Sequence, residues 1–420
     1  MANHIFISNA NNASVSVKEN ARRKPAVIGV EPWSWRGDDN CGNMIHAAAA
    51  RRLMSEYFEY KNPEEWTDAQ IDRLRANNSH IVYVTANLIR LGVPSNHPSI
   101  KELVASQVTL AKNIERANLP VVVFGLGSQA SLNGPYEFNV APETIRLLKV
   151  LSDHSRKIAV RGAFTADACT RLGVNNVEVT GCQSMFWHRS PQFTWGVSEP
   201  PQEQPGKIAC NFTDARIEAR LIQQAMSEGH DVIGQGNGGE GDWKCQKQDL
   251  SMSATVKFGW DVELAFDEGL IDRRRYEHWI RDHFFQFRRP EPWLDHMRRY
   301  CFSYGTRLHG NMAAMIAGTR ALWIVHDMRT KEVCEHFRLP SIELSEVRGG
   351  VDIQELFDRA DYSSCIKIYP HRYRALFEYV DRAGLPHSLP LPIAIKEAQD
   401  HCDHRVCGMP TTDDPLNRSG

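Results

Sequence analysis

The stretch KIAVRGAFTADACTRLGVNNVEVTGCQS, residues 157–184, decides the fold. Lys157-Ile-Ala-Val160 is a short apolar strand that ends at Arg161-Gly162. A helix from about Thr165 to Leu172 follows, and then a second strand, Val177-Glu-Val-Thr180, ends at Gly181-Cys-Gln-Ser184. A strand, a crossover helix and another strand in so few residues predict two parallel strands of one βαβ unit. Working outward, the same alternation recurs. Upstream lie the strand signals Ala26-Val-Ile-Gly-Val30, Ile81-Val-Tyr-Val-Thr85 and Pro120-Val-Val-Val-Phe124, with helical patterns over 43–57, 99–117 and 141–154, the first capped by Asn43. Downstream the alternation restarts with Lys207-Ile-Ala-Cys-Asn211, a helix over 214–228, Asp231-Val-Ile233, Tyr300-Cys-Phe-Ser303, the helix Gly310–Gly318, Ala321-Leu-Trp-Ile-Val325, the helix Lys331–Phe337, Ser341-Ile-Glu-Leu344 and an amphipathic helix over 371–383.

A chain of 420 residues is too long for one core. Residues 191–206 carry Pro191, Pro200, Pro201 and Pro205 and few apolar residues, and read as a linker. The expectation is therefore α/β: a loose arm over 1–24, a doubly wound domain over 25–190, the linker, a second doubly wound domain over 207–398 and a polar tail over 399–420. The two domains face each other across a cleft, and ligands of open parallel sheets bind beyond the carboxyl ends of the strands.

The composition narrows the function classes. Hydrophobic residues make up 42% and charged residues 24%, with a net charge of -2. Nucleic-acid binding needs a concentrated basic face, which this balance does not offer. No run of apolar residues reaches the length of a membrane span, and the Asn-rich start lacks the basic and apolar regions of a secretory signal. The ten cysteines show no paired spacing and read as free thiols of a cytoplasmic protein.

The segment richest in chemistry is Tyr304-Gly-Thr-Arg-Leu-His-Gly310. Arg307 and His309 stand just before a helix N-terminus, where backbone N–H groups attract anions. An arginine adds a fork for carboxylate or phosphate, and a histidine moves protons near neutral pH. Arg161 likewise ends a strand ahead of a helix. Cys182 could act as a nucleophile, but a small buried residue in a tight turn is the plainer reading. Gly125-Leu-Gly-Ser-Gln129 reads as a strand-to-loop turn more readily than a phosphate cradle, and Gly234–Gly241 as a flexible loop that could cover the cleft. The Trp/Arg-rich stretch Tyr276–Trp293 reads as packing at a domain interface in preference to a sugar platform, and His401-Cys-Asp-His-Arg-Val-Cys407 has zinc-ligand residue types without the spacing of a common site.

Three of these stretches bring a resemblance. YGTRLHGNMAAMIAGTRALWIVHDMRTKEV, from Tyr304, closely resembles the C-terminal signature of the polysaccharide pyruvyl transferase family. VRGAFTADACTRLGVNNVEVTGCQSMFW (160–187) resembles that family's Arg-Gly, helix, Gly-Cys-x-Ser block, and RGDDNCGNMIHAAAARRLM (36–54) its Asn-x-Gly-Asp opening. Asn43 stands where many members carry Asp, and Gln183 where many carry Pro. The resemblance implies two Rossmann-like domains in a glycosyltransferase-B-like arrangement. It implies transfer of a pyruvyl group from phosphoenolpyruvate to a sugar of a cell-surface polysaccharide or its precursor, as a cyclic ketal, with release of phosphate. It further implies donor contacts from Arg161, Arg307, Leu308 (backbone) and His309. In such a scheme His309 is the general acid, while Asp38, Asp39 and Asp327 are candidate bases from their loop positions. Asp39, Asn40, Asn43 and Gln183 are acceptor-side candidates. The scheme needs no metal and no cofactor. The acceptor carbohydrate could be lipid-linked, which would bring peripheral membrane contact. The competing expectations are a nucleotide-sugar glycosyltransferase of the same architecture and a non-catalytic carbohydrate-binding relative.

Overall fold

The computed structural model describes residues 3–8, 40–55, 58–59, 65–93, 98–134, 136, 138–193, 206–235, 258, 260–287 and 289–393. Two six-stranded sheets, every pairing in them parallel, form its two halves. The first contains β1 (Asn3–Ser8), β2 (Phe58–Glu59), β3 (Asn78–Val84), β5 (Val121–Leu126), β7 (Ile158–Val160) and β8 (Val177–Val179), in the order β2-β1-β3-β5-β7-β8. A two-stranded ribbon of β4 (Ile89–Arg90) and β6 (Ser128–Gln129) extends from it. The second contains β9 (Ile208–Asn211), β10 (Asp231–Gly234), β11 (Phe284–Gln286), β12 (Phe302–Gly305), β13 (Arg320–Val325) and β14 (Ser341–Glu343), in the order β11-β10-β9-β12-β13-β14. That is the doubly wound order with its reversal between β9 and β12, and the expected pair of Rossmann-like domains is what the chain forms. The central strands β5 and β9 are buried at every residue, because helices cover both faces of a doubly wound sheet.

Four expectations need correction. Residues 3–8 were expected within a loose arm, yet β1 pairs along both edges, with β2 and β3. Its short apolar run, His4-Ile-Phe-Ile7, sits in a polar neighbourhood and gives no periodic signal of its own. The strand expected at Ala26–Val30 lies outside the described residues, as do Asp38, Asp39, most of the linker, the loop beyond residue 235 and the cysteine-containing tail. Asn43 is not an N-cap. The helix Gly42–Leu53 begins after Cys41, and the Asn40 side chain accepts from the Gly42 N–H at 3.0 Å. A strand, β11, was also missed inside the stretch Tyr276–Trp293; Phe284-Phe-Gln286 is too short to announce itself.

The largest departure concerns the domain boundary. The last long helix runs from Ser363 to Arg382, passing through Pro370, and packs on the first domain as well as on helix Met328–Phe337 of the second. Its Tyr379 hydroxyl donates to the Val123 carbonyl (2.7 Å) and accepts from the Val123 N–H (3.1 Å), inside the first sheet. Tyr369 and Tyr373 pack around Phe186 at tilted and edge-on angles, and Ser388 and His387 join the end of helix Gly42–Leu53. The segment beyond residue 363 is therefore a strap across both domains. The Pro370 ring hid its first half, since a proline in a helical pattern ordinarily marks a boundary.

Candidate functional site

The carboxyl ends of the strands of both sheets meet at the domain boundary. From the first domain, His46 projects from helix Gly42–Leu53 and is fully buried. Its Nε2 lies 2.9 Å from the Thr85 carbonyl at the end of β3. A carbonyl only accepts, so Nε2 carries the proton and Nδ1 holds a lone pair. Arg161 ends β7, and its Nη2 lies 3.3 Å from that Nδ1. Gln183 Nε2 lies 2.9 Å from it and Cys182 Sγ 3.7 Å. Space for this group comes from a glycine: a Cβ on Gly125 would fall 2.6 Å from both Gln183 Oε1 and His46 Cε1, and its φ of +68° already excludes most side chains. The Gly125–Gln129 turn thus makes room for His46 and Gln183 rather than cradling a phosphate.

From the second domain, β12 leads through Thr306 into helix Leu308–Ala317, with Arg307 at its N-cap in an extended conformation. The position of Arg307 is set by two bonds across the switch point: its N–H donates to Asn211 Oδ1 (2.9 Å) and its Nε to the Phe212 carbonyl (2.8 Å). Leu308 is buried, and its carbonyl accepts from Trp323 Nε1. His309 follows, buried, with Nε2 3.7 Å from Cys182 Sγ and its ring 5.6 Å from that of His46. Asp327 caps helix Met328–Phe337, accepting from the N–H and hydroxyl of Thr330 at 2.9 and 2.8 Å, and pairs with Arg329 at 3.1 Å.

Several contacts hold the two halves together here. Cys41 N–H donates to the Gln235 carbonyl (3.0 Å), and Met328 N–H to that of Ala130 (3.0 Å). Glu332 of the second domain accepts from the Thr165 N–H (2.9 Å) and hydroxyl (2.7 Å) of the first. Burial pushes the Glu332 carboxyl up to about 7, against the pull of those two bonds and of Arg161. A carboxyl raised from 4.5 in this way stabilises the fold below that value, and the contribution is lost as pH rises through about 7. Replacing Glu332 by Gln is therefore expected to gain on the wild type between pH 5 and 7, by about 1–3 kcal/mol on top of a pH-independent offset. Denaturant midpoints at three pH values measure it, and parallel wild-type and variant profiles would refute it.

Electrostatics make the cleft cationic. Burial, then the charges of Arg161 and Arg329, hold His309 well below its ordinary value, so its imidazole is neutral. Burial, Arg161 and His309 do the same for His46. Burial pushes the Asp327 carboxyl up, but Arg329, His326 and the Thr330 bonds together outweigh it and keep the group ionised. Among the described residues, Arg161 Nε, Arg329 Nε, Gln183 Oε1, Gln235 Nε2 and His326 Nδ1 are buried without a hydrogen-bond partner. Such atoms are few in native folds, and their concentration in one cleft marks a place where a polar ligand or water completes the bonding.

The structure brings Arg161, His309, Leu308 and Gln183 into one cluster. Arg307 and Asp327 adjoin it, with Arg329 between them as their electrostatic neighbour. Asn40 stands at its edge and Asn43 is a partly buried residue of the first turn. Sequence reasoning missed His46, Arg329 and Gln235. Arg329 was visible in His326-Asp-Met-Arg329, but His46 lies in an alanine-rich helix with nothing beside it to suggest chemistry. Tyr276 and Trp279 pack in the core of the second domain rather than at a domain interface. With Phe284, Arg307 and Gln235 they also border a cavity of about 60 Å³.

No protein-family model and no curated protein sequence matches the chain. Among solved structures, it is similar to Anabaena HepE in complex with UDP and glucose (9% identity, 91% of this chain and 99% of that one, TM-score 0.45). It is also similar to a UDP-N-acetylglucosamine 2-epimerase (11%, 83% and 86%, 0.40) and to the glycosyltransferase SnogD of Streptomyces nogalater (10%, 82% and 77%, 0.28). No described helix is long and apolar enough to cross a membrane.

Proposed function

We propose that the protein is a pyruvyl transferase that moves the pyruvyl group of phosphoenolpyruvate onto a carbohydrate. The observation that carries this reading is the convergence of Arg161 and Arg329 from the two domains on a neutral His309, with their Nε atoms unmatched and Arg307 beside Arg329. Phosphoenolpyruvate presents a carboxylate and a phosphate on one small frame, and several arginines can grip both and fix the reacting carbon between them. The motif resemblance on Tyr304–Gly310 and Val160–Trp187 points to the same donor.

In this reading the donor's methylene carbon takes a proton from His309. The carbon bearing the phosphate becomes electron-poor, and a sugar hydroxyl bonds to it as its own proton passes to a base. Asp327, ionised at neutral pH, takes that part among the candidate carboxylates that are described. Phosphate then leaves with its bridging oxygen, its charge balanced by the arginines, and a second hydroxyl closes the ketal as its proton passes to the departing phosphate. A resting neutral imidazole is compatible with this role because the incoming anion favours its protonation.

Incubation with phosphoenolpyruvate and a panel of lipid-linked and nitrophenyl sugars is expected to release phosphate and add a pyruvyl ketal to one acceptor, read by mass. Absence of donor binding in calorimetry would sink the reading. The competing nucleotide-sugar transferase has one observation in its favour, the aromatic-lined cavity beside Arg307. Binding of UDP-sugar in place of phosphoenolpyruvate in the same calorimetry would favour that alternative.

A further inference from the structure

His46, Cys182 and His309 come from three separate segments and two domains, and all three are buried. Their ligand atoms, His46 Nδ1, Cys182 Sγ and His309 Nε2, converge within 4.8 Å of one another. We propose that these residues form a three-ligand site for a divalent metal ion of the zinc type, joining the two domains at the floor of the cleft. The site stands whether or not phosphoenolpyruvate is the donor.

Three features argue for it. The first is length. Around a tetrahedral zinc, bonds of about 2.3 Å to sulfur and about 2.0 Å to nitrogen put S and N about 3.5 Å apart. Both Sγ–N distances here are 3.7 Å. The second is the orientation of His46. Its Nε2–H is committed to the Thr85 carbonyl at 2.9 Å, which leaves Nδ1 as the ligating atom, the arrangement that fixes metal-bound imidazoles in general. The third is the ligand set. One thiolate and two imidazoles suit zinc, and three protein ligands leave a fourth position for water or substrate.

Two groups compete for the same lone pair. Arg161 Nη2 lies 3.3 Å and Gln183 Nε2 2.9 Å from His46 Nδ1, so both turn aside when the metal enters. Each has an unmatched buried atom of its own, Arg161 Nε and Gln183 Oε1, so neither is fully satisfied where it stands. The bound ion would act as a Lewis acid toward an anionic oxygen of the ligand that the arginines hold. His309 Nε2 cannot ligate and carry a proton at once. In the metal-loaded protein the proton assigned above to His309 would come from metal-bound water.

The full-length chain, purified without chelator, is expected to contain about one zinc per chain by elemental analysis, as a three-ligand site requires. After exchange it should give with cobalt(II) the near-ultraviolet thiolate-to-metal band and the strong visible bands of a tetrahedral site. Cys182→Ser should abolish the thiolate band and weaken metal affinity by more than about 100-fold, beyond what loss of an outer hydrogen-bond partner brings. Cys301→Ser, at a half-buried cysteine away from the cleft, should leave both unchanged. A wild-type chain that takes up neither zinc nor cobalt would overturn the proposal, as would a folded Cys182→Ser variant with unaltered affinity. If Cys182→Ser does not fold, Cys182→Ala and His46→Ala, checked by circular dichroism, carry the same comparison. Donor binding by calorimetry is measured separately, so a chain that binds phosphoenolpyruvate but takes up neither metal sinks this inference alone.

Discussion

His309→Ala is expected to lower turnover by about 100-fold or more, the scale of a lost proton-transfer group, while donor affinity changes far less. The histidine sits buried one residue past the N-terminus of helix Leu308–Ala317, within the fields of Arg161 and Arg329. It is small beside the arginines as a source of binding energy, so its removal should be felt in kcat before KM. Steady-state rates of phosphate release, paired with calorimetric donor affinity, separate the two. Equal losses in affinity and none in kcat would remove His309 from the chemistry. If zinc is present, the same variant also loses the metal, and activity that survives zinc removal from the wild type would return the proton-donor role to the imidazole.

Arg161→Ala is expected to weaken donor binding by about 2–4 kcal/mol, about 30- to 1000-fold, because a buried charge-assisted pair is lost and the bound anion is left short of a partner. Arg161 is 1% exposed, so solvent does not screen it. Arg161→Lys should recover only part of the loss, since an ammonium cannot reproduce a planar two-pronged grip. The side chain also stands near Glu332, so a thermal denaturation series must accompany the binding data. Unchanged affinity in a folded alanine variant would show that the arginine only holds the domains together.

How much of this was legible in the chain differs by element. Short apolar strands followed by amphipathic helices announced both doubly wound sheets, because strands buried on both faces must be apolar along their whole length. Arg307, His309 and Arg161 were legible because each follows such a strand, where parallel sheets present their ligand-binding edge. The strand at residues 3–8 and the strap beyond residue 363 were not. One is too short to show a period, and the other carries a proline whose cost is met by packing that no local pattern records.

The sequence by itself determined the architecture and the placing of two arginines and a histidine at strand ends. The tertiary structure alone decided that His46 faces Cys182 and His309, that Arg329 joins Arg161 at the same imidazole, and that the last helix binds both domains. The division has a physical cause. Strand and helix patterns are local, set by the side chains that alternate along one segment. A site assembled from residues 46, 161, 182, 309 and 329 exists only when long-range burial closes two domains on one another, and no neighbour in the chain carries the imprint of that contact.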